Sequence, residues 1–206
     1  MRNRDHHKPP FRSRGYLPHD TRFEQTFFVT FRLFGSLPAQ LYGRWVRELS
    51  ERPRREQNLQ LVHRVEHYLD KGLHIQHLSD RRIAATVQDT LKHFNNERYV
   101  LHAWVIMPNH LHVQLTLLRS SLLDDTIRSW KSFTGREANR VLGLSGPFWQ
   151  PGYYDRTIRD ERHFKQSVWY IHENPVRAGL CEAPEEYRWS SASTYRSFSA
   201  SARGED

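Results

Sequence analysis

The segment RYVLHAWVIMPNHLHVQLTLL (residues 98–118) contains two strand-like runs that are separated by Pro108 and Asn109. A Pro-Asn pair favours a tight turn, so the segment predicts an antiparallel hairpin. In the second run apolar residues alternate with polar ones, as they do in a strand that packs one face against a core. The residues of the polar face are His110, His112, Gln114 and Thr116. His110 and His112 are therefore predicted to project side by side from one face of the sheet.

The segments around this hairpin predict two more strands and a set of helices. Before the hairpin, the predicted elements are a buried strand in FFVTFRLF (27–34), helices within 39–69 with a break near Pro53, and a helix over 81–94. After it, they are a helix that Ser121 caps and Gly143 ends, a short strand in YYDRTIR (153–159), and a helix from its cap Asp160 to Asn174, where Pro175 ends it. This order predicts an α+β fold in which helices pack on one face of an antiparallel sheet and leave the other face open for a substrate.

The composition is that of a basic protein with one compact domain. The chain has 206 residues, of which 37% are hydrophobic, and this is enough for one core. Lys and Arg number 31 against 23 Asp and Glu, so the net charge of +8 favours a polyanionic partner such as nucleic acid, although it can also serve solubility alone. Cys181 is the one cysteine, which fits a reducing cytoplasm. No run approaches the roughly 18 apolar residues of a membrane span, and no secretory signal is visible.

Charge and sequence complexity change at both ends of the chain. Residues 1–22 are rich in arginine and interrupted by prolines, which predicts an extended basic arm. The candidates in this arm for contact with nucleic acid are Arg2, Arg4, Arg12 and Arg14. Residues 192–206 are rich in serine and predict a weakly ordered tail. We therefore expect one catalytic domain over residues 23–191.

Two histidines at positions i and i+2 of a strand can offer ring nitrogens to one divalent metal, because alternate side chains share a face. The alternative for His110 and His112 is a pair of exposed polar residues. The last predicted helix favours a site, since Tyr170 and Asn174 are neighbours on its polar stripe, about 40° apart. His172 points about 160° away from Asn174 and is the poorer ligand.

The chemistry of these groups fits phosphodiester transfer. A tyrosine hydroxyl has a pKa of about 10 and is a weak nucleophile. A metal can neutralise the charge that develops at the phosphate while the hydroxyl attacks it. Two imidazoles and the amide oxygen of Asn174 leave coordination positions free for a phosphate, which suits Mg²⁺ or Mn²⁺. Tyr170 is thus the candidate nucleophile, with Tyr153 and Tyr154 as rivals. A place at the rim of the core is the alternative for Tyr170.

Four segments carry a resemblance to a known family. In chain order they are AWVIMPNHLHVQL (103–115), SWKSFTGREANRVLG (129–143), FWQPGYYDRTIRDERHF (148–164) and YIHENPVRAGL (170–180). Together they resemble REP-associated tyrosine transposases, which are relatives of the single-tyrosine HUH transposases of small bacterial insertion sequences. The resemblance extends from about Gly15 to about Ser191.

This resemblance implies a ferredoxin-like or RRM-like fold with the catalytic tyrosine on a C-terminal helix. It implies that His110 and His112 are metal ligands, that Asn174 is a ligand from the helix, and that Tyr170 is the nucleophile. The implied activity is metal-dependent cutting and joining of single-stranded DNA in hairpin-forming repetitive palindromes, through a 5′-phosphotyrosine intermediate. Such an enzyme is expected in the bacterial cytoplasm at the nucleoid. The oligomeric state stays open between a monomer and a homodimer. It also stays open whether Tyr170 completes the site of its own subunit or that of a partner subunit.

Residues with cationic or aromatic side chains flank the proposed site, where they can neutralise phosphates or stack an unpaired base. These candidates for DNA contact are Lys131, Arg136, Trp149, Gln150, Arg156 and Arg159. Trp149 can equally belong to the core, and the arginines can form an ordinary solvated face. Two other functions stay open: a domesticated protein that binds palindromic DNA without productive transposition, and an RRM-like RNA-binding protein that stacks bases on its sheet.

Overall fold

The computed structural model of the chain describes residues 25–72, 75–118 and 121–194. The strands are β1 (Thr26–Arg32), β2 (Tyr99–Ile106), β3 (His110–Leu117) and β4 (Tyr154–Thr157). The α-helices are α1 (Ala39–Glu48), α2 (Arg54–Asp70), α3 (Arg81–His93), α4 (Leu123–Leu142) and α5 (Glu161–Arg177). The predicted arm over residues 1–22, with Arg2, Arg4, Arg12 and Arg14, lies outside the described residues, as does the tail beyond residue 194. None of the described helices is long and apolar enough to span a membrane.

The four strands form one antiparallel sheet in the order β2-β3-β1-β4. β2 and β3 form the predicted hairpin around Pro108 and Asn109. On its other side β3 pairs with β1, in a register that places Thr30 opposite His112. Because β3 has a neighbouring strand on each side, His110 and His112 lie in the middle of the sheet.

The apolar face of the sheet carries the larger core. The fully buried residues of β3 on this face are Leu111, Val113 and Leu115. They belong to one cluster with buried residues of α3 and α4. Tyr99 and Trp130 meet edge to face in this core, and the Tyr99 hydroxyl accepts from the Trp130 indole and donates to the Leu91 carbonyl. The polar atoms of Tyr99 and Trp130 are therefore buried with hydrogen-bond partners. The predicted α+β fold with helices on this face of the sheet is confirmed.

Helix α5 covers the opposite, polar face of the sheet. Ile171 of α5 is fully buried in a second cluster with Phe28 of β1 and Val105 of β2. His110 and His112 are also fully buried on this face. The expectation of an open face is therefore wrong at the histidines. The physical reason is that α5 has an apolar stripe to bury, and α3 and α4 already occupy the apolar face.

Helix α5 continues past the proline at which we predicted its end. It spans Glu161–Arg177 with Pro175 inside it. Pro175 lacks an N–H and so removes one helical hydrogen bond, but the next turn still forms, with the Ala178 N–H donating to the Asn174 carbonyl at 3.0 Å. Gly179, with a φ of 70°, follows this turn and provides the left-handed residue that ends many helices.

The predicted helix caps agree with the structure in two cases and differ in one. The carboxylate of Asp160 caps α5, and Gly143 ends α4 in the left-handed conformation with a φ of 65°. The predicted cap Ser121 is wrong, because α4 begins at Leu123 and no side chain caps it. Ser121 lies one residue too early for its hydroxyl to act as the N-cap.

Residues 189–191 pair with the outer edge of β2. The Ile106 N–H donates to the Trp189 carbonyl at 2.8 Å, and the Ser191 N–H donates to the Trp104 carbonyl at 2.9 Å. This segment therefore satisfies backbone groups that an edge strand would leave unpaired. It also receives His172 of α5, whose Nε2 lies 2.9 Å from Ser191 Oγ.

Candidate metal and nucleophile site

His110 and His112 lie side by side on the polar face of β3, as the alternation along this strand predicts. Both are fully buried, and their Nε2 atoms are 3.1 Å apart. At this separation two ring nitrogens either share a proton or converge on one cation, because two facing lone pairs repel each other. Burial lowers the pKa of His110 to about 3. Burial, followed by His110 and Arg177, lowers the pKa of His112 well below its usual value, so both rings are neutral at pH 7, the form that binds metals.

The remaining nitrogens of both rings, Nδ1, are held by neighbouring side chains. The Asn109 amide nitrogen donates to the Leu69 carbonyl at 3.0 Å, so its oxygen is the atom that lies 2.6 Å from His110 Nδ1. An amide oxygen only accepts, and His110 Nδ1 therefore carries the proton and leaves a lone pair on Nε2. His112 Nδ1 lies 2.7 Å from the hydroxyl of Thr30. These bonds orient both Nε2 atoms towards one point.

Asp70, the last residue of α2, adds a carboxylate to the histidine pair. Its Oδ1 atom lies 3.6 Å from His110 Nε2, and the ligand atoms of Asp70, His110 and His112 all lie within 4.8 Å of one another. Asp70 Oδ1 is buried and has no hydrogen-bond partner among the described residues. Burial raises the pKa of Asp70 to about 6. A buried carboxylate oxygen of this kind is costly unless a cation or water meets it.

Asn174 is fully buried on α5, one helical turn after Tyr170. Both the oxygen and the nitrogen of its side-chain amide are buried without a hydrogen-bond partner in the part of the chain that the structure describes. Buried amides without partners are rare in folded proteins, and an oxygen that can ligate an ion is one explanation. The predicted role of Asn174 as a ligand stays a proposal.

This donor set fits a divalent cation. It contains two neutral imidazole nitrogens and one carboxylate oxygen, with the amide oxygen of Asn174 available on α5. Mixed nitrogen and oxygen donors accept Mn²⁺, and Mg²⁺ can be held where water and phosphate oxygens complete its coordination. Three or four protein ligands leave coordination positions for a substrate phosphate.

Tyr170 lies against this cluster in the same chain. Its ring centroid is 5.4 Å from that of His112 and 5.9 Å from that of Phe28. The carboxylate of Glu66 lies close enough to its hydroxyl for the two groups to shift each other's pKa. Burial, followed by the negative charges of Glu66 and Asp70, raises the pKa of Tyr170 well above its usual value. The hydroxyl is therefore protonated at neutral pH and needs a proton acceptor if it is to attack.

Glu66 of α2 and Arg177 of α5 flank Tyr170, and no local pattern in the sequence indicates a role for either of them. Burial raises the pKa of Glu66 to about 7, and the charge of Asp70 adds to this effect. The guanidinium of Arg177 lies 5.4 Å from the centroid of the Tyr170 ring and opposes the rise in the pKa of Tyr170. A carboxyl group with a pKa of about 7 that interacts with the tyrosine hydroxyl is suited to take up its proton.

The two rival tyrosines occupy different positions. The Tyr153 hydroxyl donates to the carboxylate of Asp124 on α4. Tyr154 lies on β4 opposite Thr30 and packs against the same small cluster as Tyr170. Tyr154 is therefore the more informative control for the nucleophile.

Three of the predicted DNA-contacting residues are exposed arginines, namely Arg136, Arg156 and Arg159. Lys131 and Gln150 instead belong to a structural link. Lys131 Nζ donates to the Gln150 and Gly152 carbonyls, at 2.7 Å in both cases. Lys131 thereby ties the loop before β4 to α4.

The structure corrects the base-stacking role that we expected for Trp149. Its ring is 6% exposed and packs edge to face on Phe31, with centroids 4.9 Å apart. Its indole N–H donates to the Thr134 hydroxyl at 2.9 Å. Trp149 is thus a core residue, because its apolar ring and its N–H both find partners inside the protein.

Comparisons with known proteins agree with the resemblance read from the four sequence segments. No protein-family model matches the chain. Over 92 residues, 45% of this chain, it is 28% identical to the REP-associated tyrosine transposase of Escherichia coli (strain K12). The match spans about half of that curated relative, 53% of its length. A solved REP-associated tyrosine transposase bound to a REP hairpin matches with a TM-score of 0.53 and 20% identity, over 86% of this chain and 84% of that one. The chain is therefore similar to REP-associated tyrosine transposases, in sequence over these 92 residues and in fold over most of its length.

Proposed function

We propose that the protein is a metal-dependent endonuclease and strand transferase of the HUH type, which cuts single-stranded DNA with Tyr170. The observation that carries this proposal is the position of Tyr170, whose ring lies 5.4 Å from the ring of His112 and whose hydroxyl interacts with the carboxylate of Glu66. A nucleophile, a proton acceptor and a cluster able to hold a cation thus meet at one place. The similarity to REP-associated tyrosine transposases supports the same function.

The residues that would hold the cation are His110, His112, Asp70 and Asn174. When bound, a divalent metal would polarise the scissile phosphate and offset the negative charge that develops on it. Asn109 and Thr30 hold the two imidazole rings through Nδ1, so that both Nε2 atoms point inwards without rearrangement.

In the proposed reaction Tyr170 Oη attacks phosphorus and Glu66 accepts the proton of the hydroxyl. A P–O bond to Tyr170 forms while the bond from phosphorus to the 3′ oxygen of the DNA breaks, and this oxygen leaves as a 3′-hydroxyl after taking up a proton. One phosphoester bond replaces another, so the 5′-phosphotyrosine keeps the bond energy and a 3′-hydroxyl can reverse the step. Arg177 favours the negative charge that Tyr170 gains as its proton leaves.

The proposed substrate is hairpin-forming, repetitive palindromic DNA, which places the protein at the nucleoid in the bacterial cytoplasm. The net charge of +8 and the exposed arginines Arg136, Arg156 and Arg159 support a polyanionic partner. The matched REP-associated tyrosine transposase is bound to a REP hairpin. An RRM-like RNA-binding function is disfavoured, because the sheet face that would stack bases carries buried histidines under α5.

Covalent capture of DNA tests this proposal. Wild-type protein, Tyr170→Phe and Tyr154→Phe are incubated with a labelled hairpin oligonucleotide that has single-stranded flanks, in Mg²⁺, in Mn²⁺ or in a chelator. We expect a covalent adduct with wild type and with Tyr154→Phe in either divalent metal, and none with Tyr170→Phe, because phenylalanine keeps the ring and removes only the hydroxyl.

Mass spectrometry of the adduct should place the DNA on Tyr170. An adduct on Tyr153 or Tyr154 would show that the nucleophile is wrong. Tight hairpin binding by wild type with no adduct in either metal would instead favour the domesticated DNA-binding function.

A further inference from the structure

A cleft of about 480 Å³ lies between α4 and residues 146–153, outside the metal and nucleophile site. The α4 residues that line it include Arg128, Ser132, Arg136 and Asn139, which follow one face of the helix. This face extends over about 16 Å, given the rise of an α-helix. The floor contains Gly135, Phe148 and Trp149.

The cleft is held open by hydrogen bonds between its two walls. Lys131 Nζ donates to the Gln150 and Gly152 carbonyls at 2.7 Å, and the Asn139 side-chain amide donates to the Gly146 carbonyl at 2.9 Å. The loop is therefore fixed to α4 near both of its ends. A wall tied in this way is formed before a ligand binds, which lowers the cost of binding.

The charge that lines the cleft is positive. Its cations are Arg128, Lys131 and Arg136. The carboxylate of Asp124, which also lines it, already accepts a hydrogen bond from Tyr153. Arg128 has an exposed ion pair with Asp125, and such pairs are weak. In the described part of the chain Arg136 has no carboxylate partner. The cleft therefore favours an anionic ligand.

The cleft adjoins the surroundings of Tyr170. A second, smaller cavity is lined by Thr30, Glu66 and Tyr154, and Glu66 is the residue whose carboxylate interacts with the Tyr170 hydroxyl. Both cavities share Pro151–Tyr153 as part of their lining. Residues 151–153 thus form a ridge with the nucleophile's surroundings on one side and the cationic cleft on the other.

We propose that this cleft binds the unpaired nucleotides that flank the scissile phosphate. The inference rests on the proposed function, because it takes the ligand to be the same DNA strand that Tyr170 attacks. The arginines would contact phosphates, and the apolar floor, whose Phe148 and Trp149 are almost fully buried, would limit how deeply the strand enters. A cleft of this volume has the size of a small-molecule site, which admits a few nucleotides of a single strand and excludes a duplex.

The test compares two DNA probes and two matched pairs of variants. The probes are a labelled hairpin with single-stranded flanks and the same hairpin with blunt ends, and all proteins carry Tyr170→Phe so that no cutting occurs. Arg136→Ala is paired with Arg140→Ala, which lies one turn further along α4 and does not line the cleft. Ser132→Glu is paired with Ser129→Glu, since both serines are exposed and only Ser132 lines the cleft.

We expect Arg136→Ala to weaken binding of the flanked hairpin about threefold to fivefold and to lower the slope of its salt dependence by about one ion. Ser132→Glu should weaken this binding further, because it adds a negative charge to the cleft. The blunt hairpin should bind all five proteins equally, and Arg140→Ala and Ser129→Glu should bind the flanked hairpin as the parent does.

Equal binding of the flanked hairpin by Arg136→Ala, Ser132→Glu and their controls would overturn the inference, as would an equal loss of binding to both probes. The proposed function is tested separately, by measuring covalent adducts with protein that keeps Tyr170. If wild type forms adducts but Arg136→Ala binds the flanked hairpin as its parent does, only the proposal for the cleft is refuted. A role for Arg136 without adducts would refute the proposed cutting activity and leave the cleft as a single-strand binding site.

Discussion

The Nε2 atoms of His110 and His112 lie 3.1 Å apart in the interior of the protein, and Asp70 Oδ1 lies 3.6 Å from the first of them. Without a cation this arrangement is costly, because the buried carboxylate oxygen of Asp70 lacks a partner among the described residues and the two ring nitrogens have only each other. A divalent cation would give all three atoms the same partner. Cation binding should therefore stabilise the fold as well as permit the reaction.

Replacing Asp70 by asparagine tests its place among the ligands. We expect Asp70→Asn to weaken Mn²⁺ binding by about tenfold or more in isothermal titration calorimetry, because a neutral amide replaces a charged ligand. The rise in Tm on adding Mn²⁺ should shrink accordingly. Asp89→Asn changes an exposed carboxylate on α3 and should bind Mn²⁺ as wild type does. Wild-type affinity in Asp70→Asn would remove Asp70 from the ligand set.

Thr30 should influence metal affinity although its hydroxyl reaches only the far side of the His112 ring. Thr30→Val keeps the shape of the side chain and removes the bond to His112 Nδ1, so we expect Mn²⁺ affinity to fall by about 10-fold to 100-fold. Thr26→Val is the matched control on the same strand, because its hydroxyl bonds Thr116 instead. Equal losses in calorimetry for both variants would indicate a general effect on β1, not an effect on ring orientation.

The pH profile of adduct formation should report the carboxyl group of Glu66. Its pKa is raised to about 7, so the ionised form that accepts a proton is lost as the pH falls through this value. The wild-type rate should therefore rise with pH up to about 7, or to a somewhat lower value with a cation bound. Glu66→Gln should be slower by about 100-fold or more, with a flat profile across this range, while Glu56→Gln on the same helix should behave as wild type. A Glu66→Gln profile that keeps the wild-type inflection would exclude Glu66 as the acceptor.

Gly135 within α4 and Gly143 directly after it should respond to alanine in opposite directions. A Cβ at Gly135 would lie 3.5 Å from both Phe148 Cβ and Trp149 Cδ1, which is ordinary contact, so Gly135→Ala should raise the free energy of unfolding by about 0.5–1 kcal/mol. Gly143 has a φ of 65°, and alanine there should lower this free energy by about 1–2 kcal/mol. Urea denaturation measures both changes. Destabilisation by Gly135→Ala would show that Phe148 and Trp149 cannot accommodate the added methyl group.

The parts of the site that could be predicted from the sequence are those set by local periodicity. Because side chains alternate along a strand, His110 and His112 had to share a face of β3 once the hairpin formed. Because residues four apart are neighbours on a helix, Tyr170 and Asn174 had to share a stripe of α5. The family resemblance then assigned roles to these four residues, and the comparisons confirm the resemblance itself.

Helix boundaries and the burial of single residues were less predictable, because they depend on small differences in free energy. Pro175 removes one hydrogen bond, and the packing of α5 on the sheet outweighs this loss. Trp149 lies within a loop rich in glycine and proline, and nothing in that local pattern indicates whether its ring faces solvent or the core. The close contact with Phe31 decides this in favour of the core.

The sequence by itself determined the sheet, the paired histidines and the stripe that carries Tyr170, since each follows from the repeat of one strand or one helix. Only the tertiary structure decided that α5 covers the histidines and that α2 brings Glu66 and Asp70 to them. The physical reason is that both arrangements join segments far apart in the chain. A carboxylate on a charged helix looks the same in sequence whether it meets water or a buried histidine, and only packing between elements distinguishes the two.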